Sequence, residues 1–211
     1  MRELDPVVNV LFPASGGCIP LEHGYALYGA LKQVWPDIQA YAWLQIGPIQ
    51  PLCRSRGKTV VGRDATLLLR APVSHLAILF PLAETVHTLD QGELAIGRPI
   101  ISQLQPSPIL YSPFFTVKVH DGGEAFAPWD DLRLSRFVVG VEARLAVAGI
   151  TQGRAHVDIT RPRWLHIKDG GASGYPVAVL GCSDAESLAL QSVGLGGRRK
   201  MGCGVLVPWV G

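Results

Sequence analysis

The chain has 211 residues, 48% of them hydrophobic and 17% charged, with a formal net charge of +2. That balance excludes a disordered chain and describes a well-buried globular protein with room for one large domain or two small ones. No apolar run approaches the roughly 20 residues that cross a bilayer. The opening Met1-Arg2-Glu3-Leu4-Asp5-Pro6 is too acidic for a signal peptide, so cytoplasmic residence without a membrane partner is expected.

In chain order, Asp5 to Phe12 reads as a strand through Val7, Val8, Val10 and Leu11. Pro20 then introduces an amphipathic helix of about four turns that ends before Pro36. Its wheel places His23, Leu27, Ala30, Leu31 and Val34 on one face and Tyr25, Tyr28 and Lys32 on the other. Ile38 to Ile46 reads as a strand, followed by Gly47-Pro48 and a basic loop. Ala65 to Arg70 is a strand, Val73 to Ala83 a short helix, and Thr85 to Ile96 a strand region broken by a turn at Asp90-Gln91-Gly92.

The pattern then begins again. Ile109 to Val119 is a strand, and Asp130 to Ala148 a helix with Leu134, Phe137, Val138, Val141, Leu145 and Ala148 on its core face. Arg133, Arg136 and Arg144 share another face of that helix. Arg154 to Lys168 and Tyr175 to Leu180 form a strand pair joined by Asp169-Gly170-Gly171-Ala172-Ser173-Gly174. Ser183 caps a helix to Ser192, with Glu186 at the capping-box position, and Val205 to Trp209 is the last strand. Each half reads βαββαβ, so the expected fold class is α+β: two tandem ferredoxin-like, RRM-type halves with antiparallel sheets. The proline-rich stretch from Gly97 to Ser107 divides them, giving halves 1–98 and 99–211. The rival reading is one α+β domain with two meandering sheets.

Cys18, Cys53, Cys182 and Cys203 form no C-x-x-C pair, so reduced thiols are expected rather than zinc ligands. No His, Asp or Glu cluster has metal-ligand spacing either, and neither metal nor cofactor is expected. Cations gather locally despite the small net charge. Arg54, Arg56, Lys58, Arg63 and Arg70 face one acid, Asp64, and Arg154, Arg161, Arg163, Lys168, Arg198, Arg199 and Lys200 crowd the last quarter. Any one of them is read most simply as a solvated side chain; together they suggest an RNA-facing surface.

The densest such segment is Gly194-Leu195-Gly196-Gly197-Arg198-Arg199-Lys200-Met201-Gly202-Cys203-Gly204. Glycines permit positive φ and close approach of a ligand, and arginine clamps phosphate. A P-loop needs Ser or Thr after its lysine, whereas Lys200 precedes Met201. A dinucleotide fingerprint runs from strand to helix, and this loop runs from helix to strand.

Three segments resemble the CRISPR-associated endoribonuclease that matures guide RNA, the sixth Cas family of the RAMP superfamily, in its short MYXAN-type branch. Leu21-Glu22-His23-Gly24-Tyr25-Ala26-Leu27-Tyr28 is similar to that branch's Asp-His-Gly-Tyr-Ala-Leu-Tyr signature, with Glu22 where Asp is usual. Leu89, Gly92, Gly97 and Pro99 carry the second match. Glu186-Ser187-Leu188-x-Leu190-Gln191 leading into the glycine loop and Pro208 carries the third, with Leu206 where Phe is common.

The resemblance implies a metal-independent endoribonuclease that cuts CRISPR repeat RNA in a precursor transcript by 2′-OH attack, leaving 2′,3′-cyclic phosphate and 5′-OH ends. It also implies product retention and other Cas proteins of a surveillance complex as partners. Such chemistry needs a base, an acid and a cation. His23, in the first turn of the first helix, is the candidate base under the resemblance, although the residues alone favour a structural histidine there. Tyr25 or Tyr28 orients or donates, unless they pack or stack on a base. Gly194, Gly196, Gly197, Arg198, Arg199, Lys200 and Gly202 are the candidate RNA-binding loop, with one or more of its cations at the phosphate. Arg161, Arg163 and Lys168 on the strand pair are further RNA contacts, and His156 and His166 lie beside them. A RAMP subunit that binds guide RNA without cutting it is the alternative. A generic RRM protein is disfavoured, because Tyr41 and Trp43 come without an RNP motif.

Overall fold

The computed structural model describes residues 5–55, 58–89, 92–116, 131–168 and 170–209, without the side chains of 54, 55, 58, 63 and 131–133. The expectations for Arg56, the Asp90-Gln91 turn, residues 117–119 of the predicted strand, Asp130 and Asp169, and for the side chains of Arg54, Lys58, Arg63 and Arg133, fall outside that description. The chain forms two compact units, Met1–Leu104 and Gln105–Gly211.

In the first unit the central strand is β1 (Val7–Gly16). Val8, Val10, Phe12 and Ala14 alternate onto its buried face, the period-2 signature of a half-buried strand. One edge of β1 pairs antiparallel with β4 (Lys58–Pro72), from Val7↔Pro72 to Pro13↔Thr66. β1 also pairs with two successive partners, β7 (Ile100–Gln103) at Val8–Leu11 and β6 (Gly92–Ile96) at Ala14–Gly16. The change of partner falls at Pro13, which has no N–H to give to a ladder. Its carbonyl instead accepts from Gly97 N–H at 2.7 Å. β2 (Gln45–Ile46) and β3 (Gln50–Ser55) pair with β4, and β5 (Thr85–Leu89) pairs with β6, completing a seven-stranded sheet.

α1 (Gly24–Val34) buries Leu27, Ala30 and Leu31 at i, i+3 and i+4, and stops at Trp35, where the following Pro36 disfavours helical backbone. Tyr28 is buried with them at 9% exposure, not on the outer face. Only Gln45–Ile46 of the expected 38–46 strand pairs; Ile38–Ala40 is a 3-10 turn whose Ile38 plugs the core. The 73–83 helix is one α-turn, α2 (Leu76–Leu79), between the 3-10 turns Val73–His75 and Phe80–Leu82.

Two more expectations change. The basic loop after Pro48 is mostly the β3–β4 hairpin, which makes β4 fifteen residues long. Ile100–Gln103, assigned to the linker, is strand β7, because its β-branched pair completes the ladder on β1. Arg70, counted among the surface cations, is 1% exposed. Its Nε donates to Asn9 Oδ1 at 2.8 Å, and burial pushes its pKa down to about 10.

The second unit runs β8 (Ile109–Phe115), α3 (Asp131–Val147), β9 (Arg154–Val157), β10 (Arg163–Ile167), β11 (Gly170–Leu180), α4 (Asp184–Val193) and β12 (Val207–Pro208). β11 pairs antiparallel with β8 and β9 along its second half and with β10 along its first; β12 pairs with β8. Residues 170–174 are therefore strand, not the expected turn. The Trp164 ring lies where a side chain at Gly171 would stand, so the glycines admit the tryptophan instead of breaking the ladder. α3 buries Phe137, Val141 and Leu145 against this sheet, with Phe137 edge-on to Phe115 and Tyr175 at 6.1 and 5.2 Å between ring centres. Val138 and Ala148 face outward rather than joining that core.

Candidate nucleic-acid interface

The glycine loop is built on a capped helix. Ser183 Oγ accepts from Glu186 N–H at 3.3 Å while Glu186 Oε2 accepts from Ser183 N–H at 3.1 Å, closing the capping box that starts α4. The same carboxylate accepts from Thr151 N–H (2.5 Å), Gln152 N–H (2.9 Å) and Gly153 N–H (3.3 Å), tying the α3–β9 connection to α4. The N–H groups of Gln152 and Thr151 hold its pKa down at about 2, against the burial that would raise it. Ser187 Oγ accepts from Ser107 N–H at 2.9 Å, and Gln191 Nε2 donates to Gln105 O at 2.7 Å. The polar residues of this signature therefore clamp the start of the unit to α4.

Gly194 (φ 69°) ends α4, and its N–H returns to Leu190 O at 2.8 Å. The two feet of the loop are joined: Leu195 N–H donates to Gly204 O at 2.9 Å, and Gly204 N–H to Phe114 O at 2.8 Å. Gly204 has φ 66°, and a Cβ there would overlap the Leu195 carbonyl oxygen, so only glycine fits. Between the feet, Arg198 adopts the left-handed region at φ 57° and carries the 3-10 turn Arg199–Met201, with Met201 N–H on Arg198 O at 2.8 Å. Such a conformation is uncommon for arginine. It turns Arg198 outward to solvent while Arg199 and Lys200 stay half-buried. Arg199 Nη1 donates to Val193 O, the exposed carbonyl end of α4. Burial, and then the neighbouring Arg199 charge, lower the Lys200 pKa.

These elements border a cleft of about 840 Å³, lined by the loop from Gly194 to Arg199, the end of α3 and Thr116. Arg144, Arg198 and Arg199 reach it, and among the described residues no carboxylate lines it. Arg144, not singled out from the sequence as a binding residue, is held by Nη1–H on Gly140 O at 2.8 Å. The loop it meets lies some fifty residues further along the chain, so no local pattern in the sequence pointed to it. The loop residues Gly194, Gly196, Gly197, Arg198 and Arg199 come together here, with Lys200 and Gly202 in the adjoining turn.

The other candidates stand apart from that cleft. Arg161 is exposed and ion-paired with Asp158 at 2.9 Å, Arg163 opens β10 half-buried, and Lys168 sits at the hairpin turn with φ 50°. His156 is exposed on β9, and His166 Nδ1 accepts from Trp164 Nε1–H at 3.3 Å.

In the first unit His23 occupies the N-cap of α1, one position before the helix, at 2% exposure. Its Nε2 accepts from Ile49 N–H at 2.9 Å, which makes the ring the neutral Nδ1–H form, and that N–H donates to Pro20 O at 3.1 Å. The ring's lone pair is thus taken up within the protein. Tyr25 is half-buried. All four cysteines are free thiols. Among the described residues no group of three His, Cys, Asp or Glu could hold a metal ion, and no helix is long and apolar enough to cross a membrane.

This α+β chain, with two antiparallel sheets and a cationic glycine loop between its last helix and last strand, shares its fold with solved structures described as Cas6 and as a RAMP protein. Over 97% of its length it superposes on all of a structure described as CRISPR associated protein Cas6, with a TM-score of 0.64 and 15% identity. Over 95% it superposes on 98% of one described as a RAMP protein binding different RNA substrates, with a TM-score of 0.64 and 12% identity. Residues 8–211 match the Cas6 family, described as Cas6 Crispr. The chain is 30% identical over 201 residues to the CRISPR-associated endonuclease Cas6 of Myxococcus xanthus, covering 95% of this chain and 81% of that one. The chain belongs to the Cas6 family of CRISPR-associated endonucleases.

Proposed function

We propose that the protein cleaves CRISPR repeat RNA in a precursor transcript to release mature guide RNA, without a metal ion. The observation that carries the RNA reading is the glycine loop, where clamped feet and a left-handed Arg198 present guanidinium groups at a cleft. Such a site suits a phosphodiester backbone. The two units are variants of the ferredoxin-like arrangement, β8-α3-β9-β11-α4-β12 being the plainer copy.

In the proposed reaction the 2′-OH of the nucleotide before the cut loses its proton to a base and attacks the adjacent phosphorus. The 5′-oxygen of the next nucleotide leaves with a proton, giving 2′,3′-cyclic phosphate and 5′-OH ends. His23 is the proposed base, and Pro20 O supports this role by holding the proton on Nδ1 and leaving Nε2 as the acceptor. To act, the ring must exchange Ile49 N–H for the substrate hydroxyl, so the segment around Ile49 must shift when RNA binds. Tyr25 is the better placed of the two tyrosines to touch RNA, Tyr28 being buried. Arg198, Arg199 and Lys200 hold the RNA backbone, with Arg161, Arg163 and Lys168 as outer contacts. The CRISPR association of the family supports product retention in a surveillance complex with other Cas proteins.

The burial of His23 favours a second reading, in which the ring positions the Ile49 segment and another group takes the proton. The deciding experiment incubates repeat RNA with the protein in EDTA and analyses the new ends. Cyclic phosphate and 5′-OH ends support the proposal. Binding without cleavage identifies a guide-RNA-holding subunit instead, and cleavage that stops in EDTA overturns metal independence.

A further inference from the structure

Two of the most exposed hydrophobic side chains among the described residues line the cationic cleft. Val147, the last residue of α3, is 91% exposed, and Val193, the last residue of α4, is 61% exposed. Exposed valines scattered singly are ordinary. These two line the same cleft as Arg144, Arg198 and Arg199, with Ala148 beside Val147. The cleft thus has an apolar part made by two helix ends and a cationic part made by the loop. Its volume of about 840 Å³ is that of a small-ligand site.

We infer that this cleft seats one unpaired nucleotide of the bound RNA, its base against Val147 and Val193 and its phosphate on the arginines, an inference that rests on the RNA reading above. Each part answers to a feature of a nucleotide. A base has an apolar face that a valine pair can cover, and a planar guanidinium stacks on that same face. A phosphodiester complements an excess of guanidinium groups with no carboxylate among the described lining residues. Two of the arginines are fixed before RNA arrives, Arg144 on Gly140 O and Arg199 on Val193 O, so little side-chain freedom is lost on binding. The nucleotide must be unpaired, because a base within an A-form stem is stacked and cannot turn its face to the valines.

The test uses the full chain and two fluorescent probes of equal length and charge: a single-stranded RNA 12-mer of mixed sequence and a 12-mer of abasic ribose phosphates. The wild type should bind the base-bearing probe more tightly. Val147→Ser with Val193→Ser should reduce that preference about three- to tenfold and leave affinity for the abasic probe unchanged. Arg144→Gln should weaken both probes alike. An unchanged preference in the double valine variant, with RNA still bound, overturns the nucleotide seat alone. Failure of the wild type to bind either probe overturns the RNA reading itself, and the seat with it.

Discussion

His23 Nε2 accepts a hydrogen bond from the backbone N–H of Ile49 at 2.9 Å, across 26 positions of sequence. The contact ties the start of α1 to the segment that leads into β3. Removing the ring leaves a buried N–H without its acceptor, which costs about 1–3 kcal/mol. His23→Ala should therefore lower stability in urea denaturation as well as abolish cleavage in EDTA. If His23 is the base, cleavage is lost while RNA affinity holds. If it only positions the Ile49 segment, a residual rate survives at saturating RNA.

Glu186 makes the fold sensitive to acid. Its folded pKa of about 2 lies below the ordinary 4.5, so its contribution is full above about pH 4.5 and is lost as the pH falls towards 2. Glu186→Gln should be less stable than wild type at neutral pH, and the two stabilities should converge across that window. Parallel curves from pH 6 to pH 2, by circular dichroism in urea, would exclude the carboxylate as the titrating group.

Arg198 separates charge from backbone. Glycine adopts φ 57° without the Cβ penalty, so Arg198→Gly should keep or raise stability, by up to about 1 kcal/mol. RNA affinity should nonetheless fall, and the slope of log affinity against log salt should flatten by about 0.7 per lost phosphate contact on a single strand. An unchanged salt slope would remove Arg198 from the interface.

Gly204→Ala should be severe. It combines φ 66° with overlap on the Leu195 carbonyl, so a loss of about 2 kcal/mol or more is expected. Gly197→Ala, with open space around the position, should melt like wild type. Equal melting temperatures for the two variants would mean that the joined feet of the loop do not hold it.

Local signals were legible where one stretch of chain carried its own reasons. Ser183 and Glu186 announced the capping box, Val8 to Phe12 announced β1, and Pro36 marked the end of α1. The glycine loop was legible for the same reason: its glycines and cations are contiguous. Tyr28 was misplaced because a wheel ranks residues by polarity, while the packing around α1 buries its ring along with the aliphatic stripe. Residues 170–174 looked like a turn because the reason they stay in a ladder, the Trp164 ring over Gly171, lies on another strand.

The α+β class with antiparallel sheets, the capped α4 and the cationic loop could be read from the chain alone, because they rest on periodicity, capping and contiguous residues, and three motifs carried the resemblance to the family. Tertiary structure alone decided that His23 is buried between Pro20 and Ile49, that Arg70 lies inside the first unit, and that Arg144, Val147 and Val193 border the glycine loop. Those relations join residues far apart in the chain through backbone hydrogen bonds and side-chain packing, and no residue carries its distant partner in its own neighbourhood of sequence.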